Sequence, residues 1–115
     1  VKENVMAETE YRDMEPDEAK KRIDSGNAVL VDVRRKEEYE AIHIPHSVNI
    51  PNEQIGIKMP EELNDLNAEI ILYCRTGRRA KEAEEKLKRI GYTNVRNAGG
   101  IVDWPYETET EEDTY

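Results

Sequence analysis

The amino-acid sequence predicts an α/β domain, a mainly parallel sheet with helices on both faces. Three observations carry this. Strand and helix signals alternate along the chain with connections of a few residues, the order that places successive strands parallel and lays helices over the sheet. Two short runs, AVLVDV at 28–33 and EIILY at 69–73, are rich in branched aliphatic residues with little polar alternation, as in strands covered on both faces. Ala80, Ala83, Leu87 and Ile90 recur at intervals of three and four, which marks one apolar stripe on a helix.

The elements follow in order. Residues 1–10 are polar and without period and read as a flexible segment ahead of the domain. EPDEAKKRIDSG offers Pro16 and acids for a first helical turn, bases further on and Gly26 as a stop, in keeping with capping preference and the helix dipole. The strand at 28–33 comes next, then KEEYEAI as a short helix, and SVNIP as a short strand halted by Pro51. PEELNDL, residues 60–66, reads as another helix. The strand at 69–73 leads to the helix with the apolar stripe, which ends at Gly91. TNVRN is a brief last strand, followed by AGG and a helical turn ending at Trp104 and Pro105. ETETEEDTY at 107–115 carries five acids in nine positions. The expected organisation is a flexible segment at 1–10, one domain over 11–104, and an acidic, disordered tail over 105–115.

Composition excludes several classes of function. A chain of 115 residues buries one core and not two. With 6% aromatics and no Phe, that core is built from Val, Ile, Leu and Ala. A net charge of −9 repels nucleic acid and anionic membranes, so basic clusters have a local meaning. No apolar run approaches the roughly 18–20 residues that span a bilayer, and no membrane-spanning segment is expected. The first residue is Val1, so the compartment stays open: cytoplasmic, or exported if an upstream signal segment was removed. One cysteine permits neither an internal disulfide nor a multi-cysteine zinc cluster.

That cysteine sits in ILYCRTGRRA, with three of the nine arginines within the next five positions. Cys74 follows a strand directly and a helix begins a few residues later, so the sulfur is placed at a helix N-terminus. Unpaired N–H groups and the positive end of the dipole favour an anion there. Arg75, Arg78 and Arg79 add fixed positive charge. Such surroundings lower a thiol from about 8.5 into the range of roughly 3.5–7.5, so a partly exposed thiolate is expected. Cations in a first helical turn oppose the dipole, which suggests that Arg78 and Arg79 serve binding or catalysis rather than folding. Gly77 allows φ > 0 and close approach of a ligand to the backbone. A free cysteine at the end of an apolar strand is more often a small buried hydrophobe. Here the three guanidinium groups reverse that expectation, because burying a thiol beneath them is costly.

VDVRRKEEYEAIHIPHSVNIP at 31–51, ILYCRTGRRA around Cys74 and GYTNVRNAGGIVDW at 91–104 together resemble the single-domain rhodaneses, sulfurtransferases that carry sulfur as a cysteine persulfide. The resemblance implies a five-stranded, mostly parallel sheet with helices on both sides and a loop whose N–H groups, those of residues 75–79, cradle an anion. It implies Cys74 as nucleophile, taking a sulfane sulfur from thiosulfate or a persulfide and passing it to a thiol or cyanide. Arg75, Thr76, Gly77, Arg78 and Arg79 would hold the donor, and Asp32 would be structural support. It implies a small anionic sulfur donor and a thiol acceptor, admits an acceptor protein, and calls for no cofactor and no metal. Two departures stand out: the family segment G-H-I-P-G is Ile42, His43, Ile44, Pro45, His46 here, and Thr76 stands where thiosulfate-specialised members carry Lys.

Two other readings remain open. Phosphatases and arsenate reductases of related fold use a cysteine-arginine loop with five intervening residues, whereas four separate Cys74 from Arg79, a tighter cradle. A non-catalytic interaction or sulfur-relay module is the other. A redox sensor would need a resolving thiol that this chain lacks. His43 and His46, three apart around Pro45, make a poor ligand pair and are expected to fix a turn by hydrogen bonding. Trp104 is expected in the core or as a lid rather than as a substrate platform.

Overall fold

A computed structural model of the protein describes residues 11–111; the flexible segment expected at 1–10 and the end of the expected tail lie outside the described residues. The elements are α1 (Pro16–Asp24), β1 (Ala28–Asp32), α2 (Lys36–Ala41), β2 (Val48–Asn49), β3 (Glu69–Cys74), α3 (Arg78–Ile90) and β4 (Val95–Gly100), with 3-10 turns at Asn52–Gln54 and Ile101–Asp103. The sheet runs β2-β1-β3-β4 and every pairing is parallel.

The side chains of β3 alternate with the period of two that a strand requires. Ile70, Leu72 and Cys74 join Ala80, Ala83 and Leu87 of α3 together with Val31, Val33 and Val95. Ile71 and Tyr73 turn to the other face, where they meet Ala19 of α1, Leu30, Ile44 and Ala98. Both faces of the central strands are therefore covered, which is why AVLVDV and EIILY lack polar alternation. The stripe expected on the last long helix is the face of α3 that closes the first of these layers.

Three features depart from expectation. The sheet has four strands among the described residues, not five. The chain ahead of α1 does reach the free edge of β4, but as a single contact rather than a ladder. Asp13 donates its N–H to the Asn97 carbonyl (2.6 Å) and its carboxylate accepts the Asn97 N–H (2.9 Å). A side chain thus takes the place of the next backbone acceptor, and pairing stops there. The helix expected over 60–66 is absent as well: Leu63 N–H bonds to the Pro60 carbonyl (3.0 Å) in a single turn, and Asp65 Oδ1 accepts the Asn67 N–H (2.9 Å). Asp and Asn in a window of two turns compete for backbone groups more effectively than a nascent helix can, while buried Leu63 anchors the segment and its carbonyl accepts the Tyr92 hydroxyl. The acid-rich stretch from 105 onward, expected as a solvated tail, is attached at Glu109, which exchanges two 2.8 Å backbone hydrogen bonds with His43.

Candidate active site

Between the end of β3 and the start of α3 only Arg75, Thr76 and Gly77 remain to turn the chain. Gly77 is the N-cap of α3 and has φ 108°, a backbone conformation that costs L side chains dearly. Space is tight as well: a Cβ there would lie 3.0 Å from Tyr11 Cβ and 3.2 Å from Gly99 Cα. From this position the Gly77 N–H donates to Cys74 Sγ at 3.0 Å, so one of the unpaired amides of the helix start is aimed at the sulfur.

The floor of the turn is the end of β4. A register shift between Leu72 and Cys74 sets Cys74 opposite Gly100, and a Cβ on Gly100 would fall 2.0 Å from the Arg75 carbonyl oxygen and 2.5 Å from Thr76 Cα. Only a residue without a side chain lets the turn lie flat on the strand end. That close fit explains a departure from expectation. Cys74 is 1% exposed and belongs to the layer under α3, whereas the sequence suggested a partly exposed thiol. Backbone packed on backbone leaves the sulfur under the turn rather than at its rim.

The arginines separate into two kinds. Arg75 and Arg78 are exposed, Thr76 is half-buried, and Gly77 is buried. Arg79 is half-buried and already paired: its guanidinium grips the Glu38 carboxylate with bonds of 2.7 and 3.2 Å. Glu38 is held down to about 2, first by the Arg79 hydrogen bonds and also by the Arg35 N–H, which reaches Glu38 Oε1 at 3.0 Å and caps α2. The Glu38 bond likewise raises Arg79. The cation in the first turn of α3 thus has its own anion, and its tie to α2 is an architectural one.

Asp32 ends β1 beside Tyr73 of β3 and is fully buried. Its carboxylate accepts the Arg34 N–H (2.8 Å) and three contacts from the Arg34 guanidinium (3.1, 3.1 and 2.8 Å). Arg34, itself 4% exposed, also donates from Nη2 to the Ile42 carbonyl (2.5 Å) and lies over the Tyr73 ring at 5.8 Å. Asp32 therefore acts through Arg34 on the turn that follows α2. In that turn His46 has φ 71°, the region glycine prefers, at the position where the resembled family has its second glycine. His43 is buried, stacked on Tyr39 at 4.0 Å between ring centroids, with Nδ1 2.7 Å from the Tyr39 carbonyl and Nε2 3.3 Å from Glu109. The Ile44 N–H donates to the Tyr73 hydroxyl (3.0 Å), which burial pushes strongly up. Trp104 packs against the α1-side layer and donates Nε1–H to the Glu107 carbonyl (3.2 Å).

Sequence reasoning gave no role to three residues that shape this region: Arg34, Glu38 and Asn97. Arg34 and Glu38 had a visible signal, an Arg two residues after a buried acid and a Glu at the third position of a short helix. Asn97 had one too: an amide in a short strand candidate, two residues after Val95, needs partners if that strand is covered.

The rhodanese-like domain family matches residues 15–106. The thiosulfate sulfurtransferase PspE of Escherichia coli (strain K12) is 37% identical over 73 residues, 64% of this chain and 70% of that protein. The thiosulfate:glutathione sulfurtransferase of Saccharomyces cerevisiae is 36% identical over 94 residues, 68% of this chain and 65% of its own length. Among solved structures, the human single-domain sulfurtransferase TSTD1 superimposes with a TM-score of 0.72 at 30% identity, over 79% of this chain and 92% of the human one. The fold and the strand-turn-helix site define a rhodanese-type α/β domain. The chain belongs to the rhodanese-like domain family, among sulfurtransferase relatives.

Proposed function

We propose that this chain transfers a sulfane sulfur through a persulfide on Cys74. The single observation that carries the reading is the 3.0 Å approach of the Gly77 N–H to Cys74 Sγ at the start of α3, because it aims a helix-start amide at the atom that would attack the donor and carry its sulfur. Arg75 and Arg78, exposed beside it on a chain of net charge −9, give an anionic donor a local attraction that the protein as a whole opposes. Two relatives bear names of thiosulfate-using sulfurtransferases, which supports thiosulfate as the donor to try first.

The chemistry is two displacements. In the first, the Cys74 thiolate attacks the outer sulfur of thiosulfate. An S–S bond forms, the S–S bond of the donor breaks, and sulfite departs with its electron pair, leaving Cys74 as an ionised persulfide. In the second, a thiolate or cyanide attacks the terminal sulfur and the Cys74 thiolate is restored. No oxidant or reductant is consumed and no general base is needed while the sulfur stays ionised. The Gly77 N–H serves both states of the sulfur. A small thiol and a protein thiol both satisfy the second step. Steady-state turnover with small thiols against a mixed disulfide trapped through Cys74 separates them.

The test is mass spectrometry of the intact chain after thiosulfate treatment. One added sulfur on Cys74, lost again on adding cyanide or a thiol, is the expected result. Cys74→Ser should take up none while keeping the thermal transition of the parent. An adduct that survives in Cys74→Ser, or its absence from the parent chain, overturns the reading.

A further inference from the structure

Asn97 has no charge, touches no solvent, and stands in β4 between Arg96 and Ala98, at a buried position where an aliphatic side chain would be ordinary. An amide in that position carries a desolvation cost unless its polar atoms are matched. Here both ends are. Nδ2 donates to the Gly77 carbonyl (2.9 Å) and to the Tyr11 carbonyl (3.0 Å), and Oδ1 accepts the Gly99 N–H (2.8 Å). Its own backbone is held by Asp13 on both sides, N–H to carboxylate and carbonyl to N–H.

The three groups that Asn97 takes up share a feature. Gly77 and Gly99 have φ of 108° and 96°, and Tyr11 precedes the first helix, so each lies where the backbone departs from regular strand or helix geometry. Gly77 is the residue whose N–H meets the sulfur. Only its φ and ψ separate that N–H from the carbonyl held by Asn97, and glycine resists neither rotation. The helical bond from Lys81 N–H to the same carbonyl (3.0 Å) pulls along the α3 axis, and the Asn97 bond adds a second anchor from the β4 side. With its carbonyl tied twice, Gly77 keeps its amide on Cys74. We infer that Asn97 is a positioning residue for Cys74, setting the Gly77 N–H against the sulfur and tying that geometry to the segment Tyr11–Asp13, which precedes the residues matched by the family. Its consequence for turnover rests on the function proposed above; its effect on the sulfur does not.

The experiment compares the full-length parent chain with Asn97→Leu, which keeps the branching at Cγ and removes both donors and the acceptor. Tyr92→Phe, which deletes a buried hydrogen bond to the Leu63 carbonyl beyond the site, serves as the control. Three quantities are read: the thermal midpoint, the rate of iodoacetamide modification of Cys74 across pH, and kcat and KM with thiosulfate. In Asn97→Leu the alkylation profile should move to higher pH, with the rate at neutral pH down about 3- to 10-fold, and kcat should fall by a similar factor at unchanged KM. Tyr92→Phe should lower the thermal midpoint and change neither profile nor kcat. If Asn97→Leu merely lowers the thermal midpoint and retains the parent's alkylation profile and kcat, Asn97 is a packing residue and the inference falls. Should Asn97→Leu not fold, Asn97→Ala decides by the same readings. A displaced alkylation profile in a chain whose parent transfers no sulfur would uphold the positioning role while removing the proposed function; parent turnover with an undisplaced profile would do the reverse.

Discussion

Two neighbouring strands of this sheet end in arginine-bearing turns, and they use the charge in opposite ways. After β1, Arg34 folds back onto Asp32 and both are buried. After β3, Arg75 and Arg78 stay in solvent, and the group facing inward is a sulfur with a backbone amide on it. The two turns are packed side by side, since Asp32 pairs with Tyr73 and the Val33 N–H bonds to the Tyr73 carbonyl (3.0 Å). One turn holds a buried ionic brace, with Arg35 exposed beside it and 3.8 Å from Glu53. The other leaves its two guanidinium groups in solvent. The difference teaches that arginine density by itself does not mark a binding site: what matters is whether a carboxylate is within reach in the folded chain.

The largest expected effect breaks the brace. Arg34→Met leaves the Asp32 carboxylate buried with the Arg34 main-chain N–H as its remaining partner from that residue, and stability should drop by about 3–5 kcal/mol, the range for an uncompensated buried charge. Adding Asp32→Asn removes the charge that was stranded and should restore much of the loss. Urea denaturation of the two single variants and the double completes the cycle. Additive losses would mean that the pair is not coupled and that the contrast between the turns is false.

On the other side of the comparison, replacing Arg75 and Arg78 together by Ala should leave the urea midpoint within experimental scatter, because neither side chain is buried. KM for thiosulfate should rise several-fold and kcat should change little, and the dependence of KM on ionic strength should flatten as the local attraction is lost. An unchanged KM and salt dependence would place donor binding on the backbone amides alone.

The degree to which these features could be read from sequence follows from their range along the chain. The alternation of elements, both buried strands, the α3 stripe and the positive φ at Gly77 are encoded within a few residues of one another, and all of them appear in the fold. The helix expected at 60–66 failed because Pro60, Asn64 and Asp65 support a turn as readily as a helix, and Leu63 settles the matter by long-range packing. The burial of Cys74 was illegible for a similar reason. It depends on Gly100, 26 positions away, lying close enough to Arg75 that no side chain fits between them. The Gly-Gly pair was visible, but nothing local says which loop it admits. Arg79 differs again: its partner Glu38 lies 41 residues earlier, and the local rule that it breaks at a helix N-terminus was read as a sign of function when the fold supplies the missing anion.

That last correction leads to the smallest expected effect, which sharpens the boundary between the two turns. Arg79 belongs to the β3 turn by sequence and to the braced class by contact. Glu38 sits near 2 in the folded chain against an ordinary 4.5. A carboxylate lowered by folding contributes its stability above the ordinary value and loses it as pH falls through the folded one. Glu38→Gln should therefore cost stability at pH 6, and the deficit should shrink below about 4.5 and vanish near pH 2. The pair is about one-third exposed, so solvent screening limits the deficit to about 1 kcal/mol or less. Thermal midpoints of parent and variant across this range measure it. A deficit that persists unchanged at pH 2 would trace to lost capping of α2 by the Glu38 side chain rather than to the ion pair. A fall in KM for thiosulfate in Glu38→Gln would show that Arg79, once released, joins Arg75 and Arg78 on the open side of the comparison.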